Sequence, residues 1–197
     1  LMAQTWSTRI LRVQALRSGV SKLEIVRPKN FHHQAGDYLF LCLPGLAQFE
    51  WHPFTISSAP ESPNLSVHIR SLGNWTNQLR RWVEERPLAA EPARVVIDGP
   101  YGTSSAHIFE ASHVVLVGAG IGVTPFAAIL ESLLLRSQGK GPPLPGMKKV
   151  HFIWMNRDAH SFEWFADLLA RIEKEDTKDL FDLQIYMTQG RADFLSS

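Results

Sequence analysis

The stretch HVVLVGAGIGVTPFAAIL, residues 113–130, decides the fold. Residues 114–117 form a short valine-rich run of the kind that fills a buried parallel strand. Gly118, Gly120 and Gly122 follow at alternate positions, and Pro125 then opens an apolar segment with helical spacing. Glycines at such a bend let the backbone take positive φ and approach a ligand closely. A helix N-terminus behind them presents free N–H groups and a positive dipole end, which suits a phosphate. Proline in the first helical turn loses no hydrogen bond, because that N–H has no partner in the helix. The stretch therefore reads as strand, glycine turn and helix, a cradle for a nucleotide phosphate, with a plain buried strand–turn–helix as the alternative. Its spacing, G-x-G-x-G-x-x-P, departs from the G-x-G-x-x-G of dinucleotide folds. The segment is uncharged, but it falls short of the ~20 apolar residues of a membrane span and clusters its glycines.

Downstream, the pattern alternates strand and helix: a helix over residues 125–136, a strand over 150–155, a helix over 162–174 and a strand over 183–188. That rhythm is parallel α/β. Residues 139–146, rich in Gly and Pro, are expected as a mobile surface connection. Upstream, residues 6–16 and 20–27 alternate apolar and polar around Gly19, a hairpin signal. Further strands are expected over 38–43, around Phe54, over 65–70 and over 94–98, the last ending at Gly99-Pro100. Only one helix is expected here, from a cap at Thr76 to about Glu85, with Leu79, Trp82 and Val83 on one face. Several short strands and one helix imply a closed antiparallel barrel. The domain boundary is placed near His107. Three parallel strands make a thin sheet, so the second domain is expected to be incomplete.

Composition agrees with a soluble globular protein: 197 residues, 45% apolar and 20% charged. A formal net charge of +1 without a long basic run makes nucleic acid an unexpected partner. The single cysteine, Cys42, excludes an internal disulfide and a cysteine-built metal site, and its apolar surroundings mark a core thiol. His32-His33 has no carboxylate or third histidine at ligand spacing and reads as a solvated turn. Leu1-Met2 does not look like a natural start, so the chain is expected to be part of something longer.

Three further features bear on chemistry. Arg157 follows the strand ending near Met155; there an acid favours NADH, whereas an arginine can pair with a 2′-phosphate. A surface arginine is the alternative. HPFT, residues 52–55, can offer the ring of Phe54 to a flat ligand and the hydroxyl of Thr55 to its edge, although Phe54 alone fits a core position as well. In HIRSLGNWT, residues 68–76, Arg70 ends a strand just before a helix start, so a guanidinium and helix N–H groups can converge on a pyrophosphate.

HPFTISSAPE, HIRSLGNWT, DGPYGTSS, LVGAGIGVTPFAAIL and NRDAHSFEWFADLL together resemble the dehydrogenase domain of the NADPH oxidases, a branch of the ferredoxin–NADP reductase superfamily. The likeness runs from the first hairpin to Thr188 and is greatest to the single-chain, calcium-regulated type. It implies an all-β part, an antiparallel FAD-binding β-barrel (residues 1–107). A Rossmann-like parallel α/β NADPH-binding domain (residues 108–197) would follow, with its C-terminal part missing. By the family pattern Phe54 stacks on the isoalloxazine and Thr55 hydrogen-bonds near N5, which makes these two the catalytic candidates. His52 and Pro53 shape the same wall. His68, Arg70, Trp75 and Thr76 would hold the ribityl and pyrophosphate groups. Gly118, Gly120, Gly122, Thr124 and Pro125 would bind the NADPH pyrophosphate, with Arg157 on the 2′-phosphate, while Pro100, Tyr101 and Gly102 lie in a loop between the domains. The family's Cys-Gly-Pro segment and flavin-covering aromatic have no counterpart before Ser197.

The resemblance implies hydride transfer from NADPH to FAD. Electrons would then pass to haem in a transmembrane domain of the parent chain, reducing oxygen to superoxide at a membrane whose cytosolic face carries this domain. A calcium-binding regulatory domain is a possible further partner, although no loop of that type occurs here. A ferric-chelate reductase and a flavin-binding module without turnover are the competing readings.

Overall fold

Alternating burial and one left-handed glycine build the first hairpin. β1 (Thr5–Ala15) and β2 (Val20–Ile25) pair antiparallel across a turn in which Gly19 holds φ at 72°. The computed structural model describes residues 5–86, 91–102, 104–157 and 159–188. Leu1, Met2 and two residues of the quoted motifs, Thr103 and Asp158, lie outside them.

β3 (Tyr38–Cys42), β4 (His52–Thr55), β5 (Leu65–Arg70) and β6 (Ala93–Tyr101) complete an antiparallel sheet in the order β4-β3-β6-β1-β2-β5. Its two edge strands approach at an Ile56–Val67 bridge and a Ser57 N–H to Ser66 carbonyl bond of 2.8 Å, so the sheet curls into a nearly closed barrel. Leu23, Ile25, Leu39, Leu41, Val67 and Ile97 fill its interior. Cys42 is buried, as expected of a core thiol, with its Sγ against the Ala47 and Gln48 carbonyls, and burial raises its pKa.

Beyond the barrel, β7 (His113–Ala119), β8 (Lys149–Asn156) and β9 (Phe181–Met187) form a parallel sheet in that order. α2 (Thr124–Ser137) and α3 (Ala166–Glu175) cover one of its faces, burying Leu116, Phe152 and Trp154 against Leu130, Leu134 and Ile172. The segment Gly120–Ser137 is long and apolar enough to cross a membrane, yet half of it is buried inside this core. The register sets Gly118 beside Trp154 and Ala119 beside Met155. Thus the glycine turn and the tip of β8 open at the same, C-terminal edge of the sheet, where open α/β sheets bind ligands.

Several local expectations need correcting. α1 spans Asn74–Glu85 and starts two residues before Thr76. Thr76 occupies the third helical position, and its hydroxyl reaches back to accept the N–H groups of Leu72 and Gly73, both at 2.9 Å. β6 does not stop at Gly99-Pro100 but runs on to Tyr101. A side chain at Gly99 would lie 3.3 Å from Leu39, so only glycine lets the strand pass so close. Pro100 and Tyr101 are therefore strand residues; the Tyr101 ring stacks on Tyr38 at 5.3 Å and its hydroxyl donates to Asp98 at 2.8 Å. The expected helix over 162–174 is split into a 3₁₀ segment, Ala159–Phe165, and α3. His33 is buried, not solvated; its Nε2 lies 3.3 Å from the Ser58 carbonyl, and burial lowers its pKa to about 4.

Candidate functional site

The glycines of the turn stand in two kinds of environment, one packed and two open. A Cβ on Gly118 would meet Val123 at 3.2 Å and Phe126 at 3.4 Å, so glycine there permits close packing of strand and helix. Gly120 takes φ of 53° and has open space where a side chain would stand, the requirement for a backbone that a ligand approaches. Its carbonyl accepts the indole N–H of Trp154 at 3.3 Å. Gly122 is likewise open. A 3₁₀ turn, Gly120–Val123, leads into α2, closed by the Thr124 hydroxyl on the Ile121 carbonyl at 2.7 Å. Pro125 sits in the first turn of the helix.

A cavity of about 610 Å³ opens beside this turn. Ala119 and Gly120 line it from the turn, Asn156 and Arg157 from the tip of β8, Thr188 from beyond β9 and Arg70 from the end of β5. Two cations from opposite halves of the chain thus face one cleft with an open glycine backbone. This donor set matches a polyanion such as a dinucleotide pyrophosphate with a phosphorylated ribose.

Asn156 in this cleft escaped the sequence reading. It is 7% exposed, its Nδ2 has no hydrogen-bond partner, and its backbone carbonyl takes both the N–H and the hydroxyl of Thr188, at 2.8 and 3.2 Å. A signal was present: Val150, Phe152 and Trp154 are the inward positions of β8, and the next inward position is polar.

The HPFT residues stand apart from the cleft. His52 lies 4.3 Å and Phe54 5.9 Å from the ring of Trp75, which α1 presents as a buried side chain with an unpartnered Nε1. Phe54 and Thr55 are half-buried on β4, opposite Leu39 and Tyr38, and Pro53 is exposed. A group of aromatic rings from His52, Phe54 and Trp75, with Thr55 next on the same strand as Phe54, suits a flat heteroaromatic ring. Trp75 therefore stands with the HPFT residues, two positions from Gly73 at the helix cap.

His68 points elsewhere. Arg70 extends into the cleft, whereas His68 sits in the seam between the barrel and α3, its ring 4.8 Å from Phe165 and its Nδ1 2.8 Å from the Ser57 hydroxyl. Burial, and secondarily Lys22, lower its pKa to about 3, so it is a neutral imidazole.

The family model of an FAD-binding domain matches residues 5–105, and that of a ferric reductase NAD binding domain matches residues 111–193. The chain is 39% identical to human NADPH oxidase 5 over 92% of its own length and 30% of that relative. It is 38% identical to a superoxide-generating NADPH oxidase heavy chain from Dictyostelium discoideum over 95% of its length and 38% of that relative. It therefore spans well under half of either relative. A crystal structure of a ferredoxin NADP+ reductase from Neisseria gonorrhoeae with bound FAD and NADP superposes with a TM-score of 0.71 at 17% identity. That match covers 96% of this chain and 70% of the other, a likeness of fold alone.

Proposed function

The chain belongs to the flavin dehydrogenase family of the NADPH oxidases, an FAD-binding domain followed by a nicotinamide-nucleotide-binding domain, and on that premise we propose that it accepts hydride from NADPH onto FAD. The observation that carries this reading is the shared cleft of Arg70, Gly120 and Arg157, together with a separate aromatic cluster of His52, Phe54 and Trp75. We assign the wall of His52, Pro53, Phe54 and Thr55, closed by Trp75, to the isoalloxazine, with Phe54 and Thr55 touching the reacting ring. Arg70 and the start of α1, ordered by Thr76, hold the FAD pyrophosphate. His68, being neutral and buried, keeps β5 in place and contributes no charge. Gly118, Gly120 and Gly122, with Thr124 and Pro125 shaping the start of α2, receive the NADPH pyrophosphate, and Arg157 reads the 2′-phosphate.

The two cofactors supply the redox chemistry when bound, and no protein general base is required. The task of the protein is geometric: each ring must be held within reach of the other and shielded from water. In the parent protein we propose that electrons continue to haem in a transmembrane domain and reduce oxygen to superoxide, with this part on the cytosolic face and a calcium-binding domain as a regulator. Titration of the purified protein with FAD and FMN, read by flavin absorbance, followed by anaerobic mixing with NADPH, tests the first part. A flavin that NADPH does not bleach in the full-length parent overturns it. A parent that reduces ferric chelates and forms no superoxide overturns the oxygen assignment.

Two substitutions test the nucleotide assignments. Arg157→Ala is expected to weaken NADPH by about 1–3 kcal/mol, the value of a charge-assisted contact, and NADH hardly at all. Equal loss for both nucleotides would remove Arg157 from the 2′-phosphate. Asn156→Asp puts a carboxylate where the unpartnered amide now stands, and it is expected to lower the NADP+ to NAD+ affinity ratio by roughly tenfold. Competition binding of the two nucleotides measures that ratio, and an unchanged ratio would place the Asn156 side chain away from the ribose phosphate.

A further inference from the structure

Residues 59–62 form a turn that starts four residues after Thr55 and is gripped from both halves of the chain. From the barrel side, the Arg27 guanidinium donates to the carbonyls of Ala59, Pro60 and Ser62. From α2, the Glu131 carboxylate accepts the Ala59 N–H at 2.8 Å and the Ser62 hydroxyl at 3.3 Å, and also pairs with Arg171 of α3 at 3.3 Å. In return the turn sends Glu61 into α2. One Glu61 oxygen takes the Arg136 Nε–H at 2.8 Å and the Ser132 hydroxyl at 3.0 Å. The Glu61 side chain is 8% exposed, the Arg136 side chain 15%, and Ser132 is fully buried. The Arg136 guanidinium also lies 4.0 Å over the ring of Phe109, in the segment that joins barrel to sheet.

We propose that Glu61 is a positioning residue for hydride transfer, which locks the helix carrying the nucleotide cradle to the strand carrying the flavin wall. The inference rests on the NADPH-to-FAD reading above. Both ends of the link are short and held: three residues, 56–58, tied to β5 by the Ile56–Val67 bridge and the Ser57–Ser66 bond, join β4 to the turn, and α2 runs directly out of the glycine cradle. From Thr124 to Arg136 the helix is about 18 Å long, so a tilt of about 5° at the Glu61 end displaces the cradle by roughly 1.5 Å. Misplacement on that scale costs on the order of 100-fold in a reaction that depends on aligned donor and acceptor. A buried ion pair is a poor source of stability but a directional contact, which is what registry between two domains requires.

The test uses the full-length parent protein. Glu61→Gln removes the charge opposite Arg136 while keeping the side-chain volume. Gly141→Ala perturbs the pair from outside, because a Cβ there would meet Glu61 Cγ at 2.9 Å and Arg136 Cγ at 3.1 Å. Both variants are expected to retain FAD and to bind NADP+ within twofold of wild type. Their anaerobic flavin reduction by NADPH should fall at least tenfold, with a changed kinetic isotope effect for NADPH deuterated at C4. Hydrogen exchange should quicken at the Ala59 amide and along α2. Faster exchange with a reduction rate within twofold of wild type overturns the proposal. So does loss of FAD from both variants, which would mark Glu61 as a support of the barrel. A wild-type parent whose flavin NADPH does not reduce would overturn the underlying reading, and the inference with it.

Discussion

Between pH 7 and pH 5 the folded chain is expected to lose about 4 kcal/mol of stability through two histidines. The pKa of His33 is lowered to about 4 and that of His68 to about 3, in both mainly because burial penalises the charged ring. Each ring also has one buried nitrogen without a partner, His33 Nδ1 and His68 Nε2, so no acceptor waits for the added proton. The unfolded chain protonates both near pH 6.5, while the folded chain holds out to pH 4 and below. The unfolded state therefore binds more protons throughout this window, and stability falls as pH falls. It is fully present above pH 6.5, and each ring contributes about 1.4 kcal/mol for every unit below it. Carboxylates titrate mostly below this range, which isolates the histidines. Urea unfolding at pH 7, 6 and 5 measures the slope. His68→Leu should remove about half of it, and an unchanged slope in that variant would mean that His68 is protonated in the fold.

His33 also marks where sequence reasoning ends. The first hairpin, β5 and the β7-turn-α2 unit are visible in the sequence because each is decided by spacing within one short window. The apolar–polar alternation of the β5 sequence and the apolar run before Gly118 are local facts. The family likeness rests on the same windows. The burial of His33 depends on Ser58, 25 residues away, and no window contains both. Continuation of β6 through Gly99-Pro100 follows from close approach to β3, again a distant strand. The start of α1 lies two residues before the expected cap because Thr76 does at the third helical position what a capping side chain does at the N-cap. Charged residues carry the least local signal. Glu61, Glu131 and Arg136 look like surface charges in the sequence, and only the fold brings them to one seam.

Trp154→Ala is expected to destabilise the second half by about 3–5 kcal/mol, the usual loss for a large aromatic cut out of a packed core. The side chain is fully buried, edge-on to Phe162 at 4.9 Å and within 6.0–6.4 Å of the rings of Phe152, Trp164 and Phe165. Phe152 is fixed on β8 itself and the other three rings on the 3₁₀ segment Ala159–Phe165, so they cannot collapse fully into the gap and the cavity term remains. The indole has a second function, since its N–H holds the Gly120 carbonyl and with it the positive-φ corner of the cradle. Trp154→Phe separates the two. It retains most of the packing and should cost less stability, yet it loses the same N–H as the alanine variant. NADP+ affinity is therefore expected to fall several-fold in both variants, about 1 kcal/mol for one neutral hydrogen bond, while the thermal midpoint falls much further in the alanine variant. Trp51→Ala, at a side chain 41% exposed, is the control for loss of a tryptophan as such. If Trp154→Phe binds NADP+ as wild type does, the corner at Gly120 is held by the strand and helix on either side of it, and the indole contact is packing alone.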